Sequence, residues 1–230
     1  MNQPHHVAVI LDGNRRFAKR LMAEPWKGHE WGYEKVKKLM DWCKECNIPE
    51  LTLYAFSLQN FHRPKNEFEY LMRLAERMCD EVLAQEKTTN DPRVSFIGRT
   101  HLLNPALQEK MRNVETTTEQ NAGMQVNICF AYGGREEITD AVKAIAEKIR
   151  AGTLSPDDVG EELIKQHLQL PREPDLIIRT GGERRTSNFL MWQSSYAELY
   201  FTDALWPEFE KEQFLAALED FEQRKRRFGQ

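Results

Sequence analysis

Runs of apolar, β-branched-rich sequence at residues 7–11, 51–56, 94–97, 126–130 and 176–178, with a weaker one at 199–201, alternate with longer stretches of a different rhythm. In those stretches apolar residues return every three or four positions. Phe68, Leu71, Met72, Ala75, Met78, Cys79 and Val82 form one such series, and Ile138, Val142, Ile145 and Ile149 another. Strands apolar on both faces need cover above and below, and helical crossovers provide it while keeping the strands parallel. The alternation predicts an α/β fold with a largely parallel central sheet of about six strands flanked by helices.

The 230 residues suit a single domain spanning 1–230, because a core of that size is still covered by one or two layers of helix. No repeat, low-complexity tract or Ser/Gly linker divides them, and the longest loop candidates, 22–28 and 171–174, are short. Lys and Arg number 32 against 36 Asp and Glu, so no whole-molecule field is available to hold a polyanion, and nucleic acid is not an expected partner. No apolar run approaches the roughly 20 residues that span a bilayer, and the opening Met1-Asn2-Gln3-Pro4-His5-His6 lacks the basic and apolar regions of a signal peptide. A cytoplasmic protein is expected, with Cys43, Cys46, Cys79 and Cys129 reduced. Cys43 and Cys46 form a C-x-x-C, but Val36, Leu39, Met40 and Cys43 share helical spacing, which puts the pair at a helix C-terminal end. A redox pair sits at the other end, where the dipole stabilises a thiolate; packing is the expected role here.

The residues just beyond each strand carry the chemistry. The first run ends in Asp12-Gly13-Asn14-Arg15-Arg16, the second in Ser57 with Asn60 and Arg63 beyond it, the fourth in Tyr132-Gly133-Gly134-Arg135, and the fifth in Arg179-Thr180-Gly181-Gly182. In an open parallel sheet these ends share one edge, where such folds bind ligands. Glycines admit close backbone approach and arginine forks favour phosphate groups, so the edge suits a phosphorylated substrate with a divalent cation on Asp12. Neither a G-x-x-x-x-G-K-[ST] loop nor a G-x-G-x-x-G turn is present, which argues against those nucleotide sites. Asp157-Asp158 follows Ser155-Pro156 and reads as helix-start capping rather than a diphosphate motif. His29-Glu30 is not completed to H-E-x-x-H, and no G-x-S-x-G elbow occurs.

Residues 6–19 (HVAVILDGNRRFAK), Gly28-His29, 51–57 (LTLYAFS), 60–67, 131–138 (AYGGREEI) and 179–209 together resemble the cis-prenyltransferases, the undecaprenyl and polyprenyl diphosphate synthases. The likeness runs from about His6 to Gly229, with the blocks in the family's order, and the Asn-Arg-Arg-Phe and Ala-Tyr-Gly-Gly variants look closest to archaeal and eukaryotic members. The resemblance implies repeated condensation of isopentenyl diphosphate onto an allylic diphosphate, giving cis double bonds, with Mg²⁺ as cofactor.

By the same resemblance Asp12 is catalytic and binds Mg²⁺, and Glu198 completes the metal shell. The backbone of Gly13, Asn14, Arg15 and Arg16, with Phe17 in the same stretch and the Arg16 and His29 side chains, cradles the allylic diphosphate. Arg179, Arg185 and Ser187 take the second diphosphate. Ser57, Asn60, Phe61, Arg63 and Glu67 match a mobile segment that closes on the substrates. Asn60 also stands with Asp12 and the leaving diphosphate as a candidate proton acceptor. The growing chain needs an apolar tunnel, with Tyr33, Ala55, Leu71 and Phe130 as expected wall residues, and product release implies peripheral membrane contact. Arg227 and Gly229 match a tail that reaches the partner's site in homodimeric members.

Three features depart from the family pattern: Pro25 replaces a basic residue, Leu58-Gln59 replaces a hydroxyl–glutamate pair, and Tyr33 and Phe130 replace smaller aliphatics. The first loses an allylic-diphosphate donor unless Lys27 or Arg15 supplies it. The first two leave irregular, non-head-to-tail coupling as an alternative, and the third bears on product length. A non-catalytic partner subunit would be expected to lose the Asp12 and Arg16 pattern, and a lipid carrier would leave the clustered arginines unexplained.

Overall fold

A computed structural model describes residues 3–85 and 88–224; the expected tail residues Arg227 and Gly229 lie outside the described residues. The elements run β1 (His6–Ile10), α1 (Asn14–Arg20), α2 (Gly28–Glu45), β2 (Glu50–Ser57), α3 (Lys65–Ala84), β3 (Arg93–Ile97), α4 (Pro105–Thr118), β4 (Gln125–Tyr132), α5 (Gly134–Arg150), α6 (Glu161–His167), β5 (Leu176–Arg179), β6 (Glu198–Phe201) and α7 (Lys211–Gln223). The strands form one six-stranded sheet in the order β3-β4-β2-β1-β5-β6, and every pairing is parallel.

Period-two alternation divides the core. Val7 and Val9 of β1 face the larger cluster, with Val36 and Leu39 of α2, Leu71 and Ala75 of α3, Leu107 and Met111 of α4, and Phe214 and Leu218 of α7. Ala8 and Ile10 face the opposite cluster, with Tyr54, Cys129, Ile177 and Phe189. All five β1 residues are buried, as a strand covered on both faces requires.

The pairing of β2 with β4 is irregular near its end: Tyr54 opposes Cys129 and Phe56 opposes Phe130, leaving Ala55 over, and Ser57 then opposes Tyr132, leaving Ala131 over. Ala131 takes a left-handed φ of 51°. The first bulge brings Phe56 to the larger cluster, where it stacks on Phe130 with centroids 5.0 Å apart.

Two local expectations are refined. Ser155-Pro156 opens a single 3₁₀ turn, Pro156–Asp158, and α6 begins later, at Glu161; Ser155 Oγ accepts from the Asp157 N–H and the Asp158 carboxylate from the Ser155 N–H. Cys43 lies in the last turns of α2, where burial pushes its thiol pKa up, and Cys46 follows the helix end.

Candidate active site

Strand order reverses between β1 and β5: the chain leaves β1 to build β2, β3 and β4 on one side, and returns to add β5 and β6 on the other. Such a switch point opens a crevice at the strands' C-terminal ends. The segments beyond β1 and β5 are clamped there. Thr180 Oγ1 donates to the Asp12 carbonyl at 2.7 Å and accepts from the Asp12 N–H at 3.1 Å. Gly13 makes the turn into α1 at φ 117°, and a Cβ on it would stand 2.8 Å from Leu205 Cα. Gly181, at φ 85°, is constrained by its left-handed backbone, and a Cβ there would stand 3.0 Å from the Asp12 carbonyl oxygen.

These turns aim one carboxylate between two guanidiniums. Asp12 Oδ1 accepts from Arg16 Nη2 at 3.1 Å, and Asp12 Oδ2 accepts from Arg179 Nη2 at 2.9 Å. Arg179 also donates to Ser187 Oγ at 2.8 Å and to the Arg185 carbonyl, while its buried Nε has no partner among the described residues. A polar pocket of about 310 Å³ opens beside this cluster, lined by Asp12, Gly13, Asn14, Arg15, Arg16, Lys19, His29 and Arg63 with Leu11.

The far wall of the pocket is a buried charge network. Arg63 Nη1 donates to Glu67 Oε1 at 2.8 Å and to His29 Nε2 at 3.2 Å, and Arg15 Nε lies 3.5 Å from the same Glu67 oxygen. Since arginine only donates, His29 Nε2 must accept and the ring proton sits on Nδ1. Burial holds the His29 pKa below its ordinary value, so the ring is neutral. Glu67, buried under these groups, is held below the usual carboxylate range by the His29 ring, 3.9 Å from its Oε1, and by the charges of Arg63 and Arg15.

Asn14, His29 and Leu11 also line a second cavity, of about 210 Å³, which runs inward between sheet and helices. Leu53, Ala55, Phe56, Val126, Ile128 and Phe130 form its floor, and Tyr33, Val36, Leu71, Ala75 and Met78 its roof. A cationic pocket thus continues into an apolar hollow, a shape that suits an amphiphile with a phosphorylated head and a hydrocarbon tail.

The family model for undecaprenyl diphosphate synthase matches residues 10–229. This chain belongs to that family. The tritrans,polycis-undecaprenyl-diphosphate synthase (geranylgeranyl-diphosphate specific) of Methanocaldococcus jannaschii is 48% identical over 99% of this chain and 83% of its own length. The isoprenyl transferase of Thermus thermophilus is 47% identical over 98% and 89%. Lavandulyl diphosphate synthase from Lavandula x intermedia, solved in complex with dimethylallyl diphosphate, superposes with a TM-score of 0.94 at 38% identity over 99% of both chains.

Membership of the undecaprenyl diphosphate synthase family makes this chain a prenyltransferase enzyme. Its expected site residues fall into distinct groups. Asp12, Gly13, Asn14, Arg15, Arg16, His29 and Arg63 line one pocket; Arg179 joins them through Asp12, Ser187 through Arg179, and Glu67 through Arg63. Arg15, rather than Lys27, stands in the pocket where the family's basic residue is replaced by Pro25. The Arg185 side chain is turned outward onto Glu183 at 2.6 Å, and only its carbonyl meets Arg179. Asn60 caps the 3₁₀ turn Leu58–His62, its Oδ1 accepting the Ser57 N–H at 2.9 Å. Phe61 packs on Phe56 and Phe68. Phe17 sits edge-on to Trp31 and does not line the pocket.

Glu198 lies apart from Asp12 within the chain. It begins β6 in register with Leu176, at the opposite edge of the sheet from Asp12, and pairs with Arg224 at 2.9 Å. The parallel register separates the two carboxylates by the length of a strand, so they do not share a metal within the chain.

Three contributors went unassigned in the sequence. Lys19 lies one helical turn from Arg15 and Arg16 on α1, a spacing that was there to be read. Thr180 and Asn188 act through contacts between distant segments. Asn188, left-handed at φ 67°, accepts the Gly134 N–H on its carbonyl and the Arg135 N–H on Oδ1, and donates from Nδ2 to Glu136. The Gly133-Gly134 turn therefore ties down the loop that carries Ser187, and the polar pocket is built without it.

Proposed function

We propose that Asp12, Arg16 and Arg179 are the centre at which this chain condenses isopentenyl diphosphate onto geranylgeranyl diphosphate. Transfer onto an allylic diphosphate with cis geometry is the activity of its family; the geranylgeranyl acceptor is suggested by the name of the Methanocaldococcus relative. The observation that carries the reading is the Asp12 carboxylate held between two guanidiniums where a polar pocket meets an apolar cavity.

As the allylic C–O bond breaks, charge accumulates on the departing diphosphate. Arg15, Arg16 and Lys19 line the pocket where that group would lie, and preorganised donors of this kind act where charge develops. Neutral His29 would offer its Nδ1 proton as a further donor. The isopentenyl diphosphate would be taken on the Arg179 side, with Ser187 beside it and the exposed Arg185 arm free to swing inward from Glu183. Asn60 is an amide whose oxygen is already engaged by Ser57, so it orders the segment and is a poor base.

Among the described residues no group of three His, Cys, Asp or Glu gathers as a metal site. Mg²⁺ usually keeps several waters and is bound by one or two carboxylates plus substrate phosphates, which fits Asp12 as the chain's donor. When bound with substrate it would neutralise diphosphate charge. No helix among the described residues is long and apolar enough to cross a membrane. A cytoplasmic homodimer, with Arg227 and Gly229 serving the partner's site and peripheral membrane contact for product release, completes the reading.

The test is incubation of the purified chain with Mg²⁺, radiolabelled isopentenyl diphosphate and either farnesyl or geranylgeranyl diphosphate, followed by sizing of the products. Geranylgeranyl-primed elongation is expected. Preference for the farnesyl primer would change the acceptor, and no incorporation from either would overturn the reading.

A further inference from the structure

The apolar cavity is small for a polyprenyl product. A protein cavity of about 150 Å³ takes one benzene, so a hollow of about 210 Å³ holds fewer than about two isoprene units. A longer chain must part the walls. The sheet is continuous along the floor, whereas α2 and α3 share almost no close backbone approach over the cavity. Side chains bridge them instead. Tyr33 Oη donates to Glu81 Oε2 at 2.7 Å, and Lys37 Nζ donates to the same oxygen at 2.9 Å while lying 4.3 Å over the Tyr33 ring. Tyr33 and Lys37 both line the cavity, as do Met78 and Val82 on either side of Glu81 along the chain.

We propose that the growing chain leaves the cavity through the α2–α3 seam, and that the Tyr33–Lys37–Glu81 cluster is a latch it must part, which makes Glu81 a determinant of product length. This rests on the reading of the chain as a polyprenyl synthase. The latch opposes elongation because an advancing hydrocarbon end must displace an ion pair and a hydrogen bond and can replace neither. Glu81 is the shared acceptor, so its loss releases both bridges from α2 at once.

The test compares wild type with Glu81→Ala and Glu81→Gln at fixed ratios of labelled isopentenyl diphosphate to allylic diphosphate, reading first-condensation rate, product ladder and melting temperature. Glu81 is outside both diphosphate sites and its side chain is partly exposed, so the first condensation should stay within about twofold. The ladder should shift upward by at least one isoprene unit in Glu81→Ala and by less in Glu81→Gln, which keeps an acceptor for Tyr33 but loses the charge. A merely structural role would lower the melting temperature and leave the ladder in place. An active wild type whose variants give its own ladder overturns the latch alone, and Glu81→Gln decides the matter if Glu81→Ala fails to fold. A wild-type chain that incorporates no label overturns the functional reading and the latch with it.

Discussion

The Asp12 carboxylate and the Arg179 guanidinium meet at 2.9 Å across the ends of β1 and β5, 167 residues apart in the chain. Arg179 is almost wholly buried, its side chain 5% exposed, and Asp12 is its charge partner. The pair therefore has a structural as well as a chemical role. Asp12→Ala should reduce turnover by about two to three powers of ten, the scale seen when one transition-state contact is lost. It should also destabilise by about 1–3 kcal/mol, because a buried donor loses its acceptor. Asp12→Asn keeps an oxygen for Arg179 and should lose activity with a smaller fall in melting temperature. Near-wild-type turnover in either variant at saturating Mg²⁺ would remove Asp12 from the chemistry.

Arg179 and Arg185 should separate in the same assays. Removing Arg179 empties a buried position that joins Asp12, Ser187 and the 185 carbonyl, so Arg179→Ala should lower both melting temperature and kcat/KM. Among the described residues the Arg185 side chain pairs with Glu183, and it is 60% exposed. Its Ala variant should leave thermal stability unchanged and raise the KM for isopentenyl diphosphate by about tenfold, the worth of one charge-assisted contact. An equal rise in the KM of the allylic substrate would dissolve the division into two diphosphate sites.

Asn188 holds the Ser187 loop without lining the pocket. Ala at this position loses two side-chain hydrogen bonds and fits the left-handed backbone less well than Asn. Asn188→Ala should lower kcat/KM for isopentenyl diphosphate by about tenfold while the allylic KM holds. Steady-state kinetics with each substrate varied in turn would show it, and an unchanged isopentenyl KM would mean that the loop is positioned by other contacts.

The buried His29 ring makes a pH signature. Its native pKa lies below the ordinary 6.5, so above that pH the ring is neutral in both native and unfolded chains and adds no pH dependence. As the pH falls below it, the unfolded chain takes up a proton that the native chain resists, and native stability drops until the native pKa is passed. One such group contributes up to about 1.4 kcal/mol per pH unit. Urea unfolding of wild type and His29→Gln between about pH 8 and pH 5 should show a shallower fall in the variant. Parallel curves would mean that His29 titrates normally. Glu67, also held low, gives its own loss only further into acid, as pH falls below the ordinary carboxylate range.

The sequence by itself determined the strands and helices, because period-two and period-3.6 apolar spacing are written into neighbouring residues and need no partner to be read. It marked Asp12 and Arg16 as site candidates as well, but Asp12 precedes α1, and the left-handed turn at Gly13 is what brings the two side chains together. Resemblance to a family marked Arg179, Ser187 and Glu198 as candidates without saying what each would touch. Only the tertiary structure decided that. Placing β5 beside β1 set Arg179 on Asp12 and Thr180 across the Asp12 backbone, while the parallel register carried Glu198 to the far edge of the sheet. Likewise, the bulge at Ala55 brought Phe56 to the cavity, against the alternation that Tyr54 would have imposed. Strand order and register arise from packing over the whole core, where contacts between residues distant in the chain outweigh local preference, and so these contacts could not be read from local spacing alone.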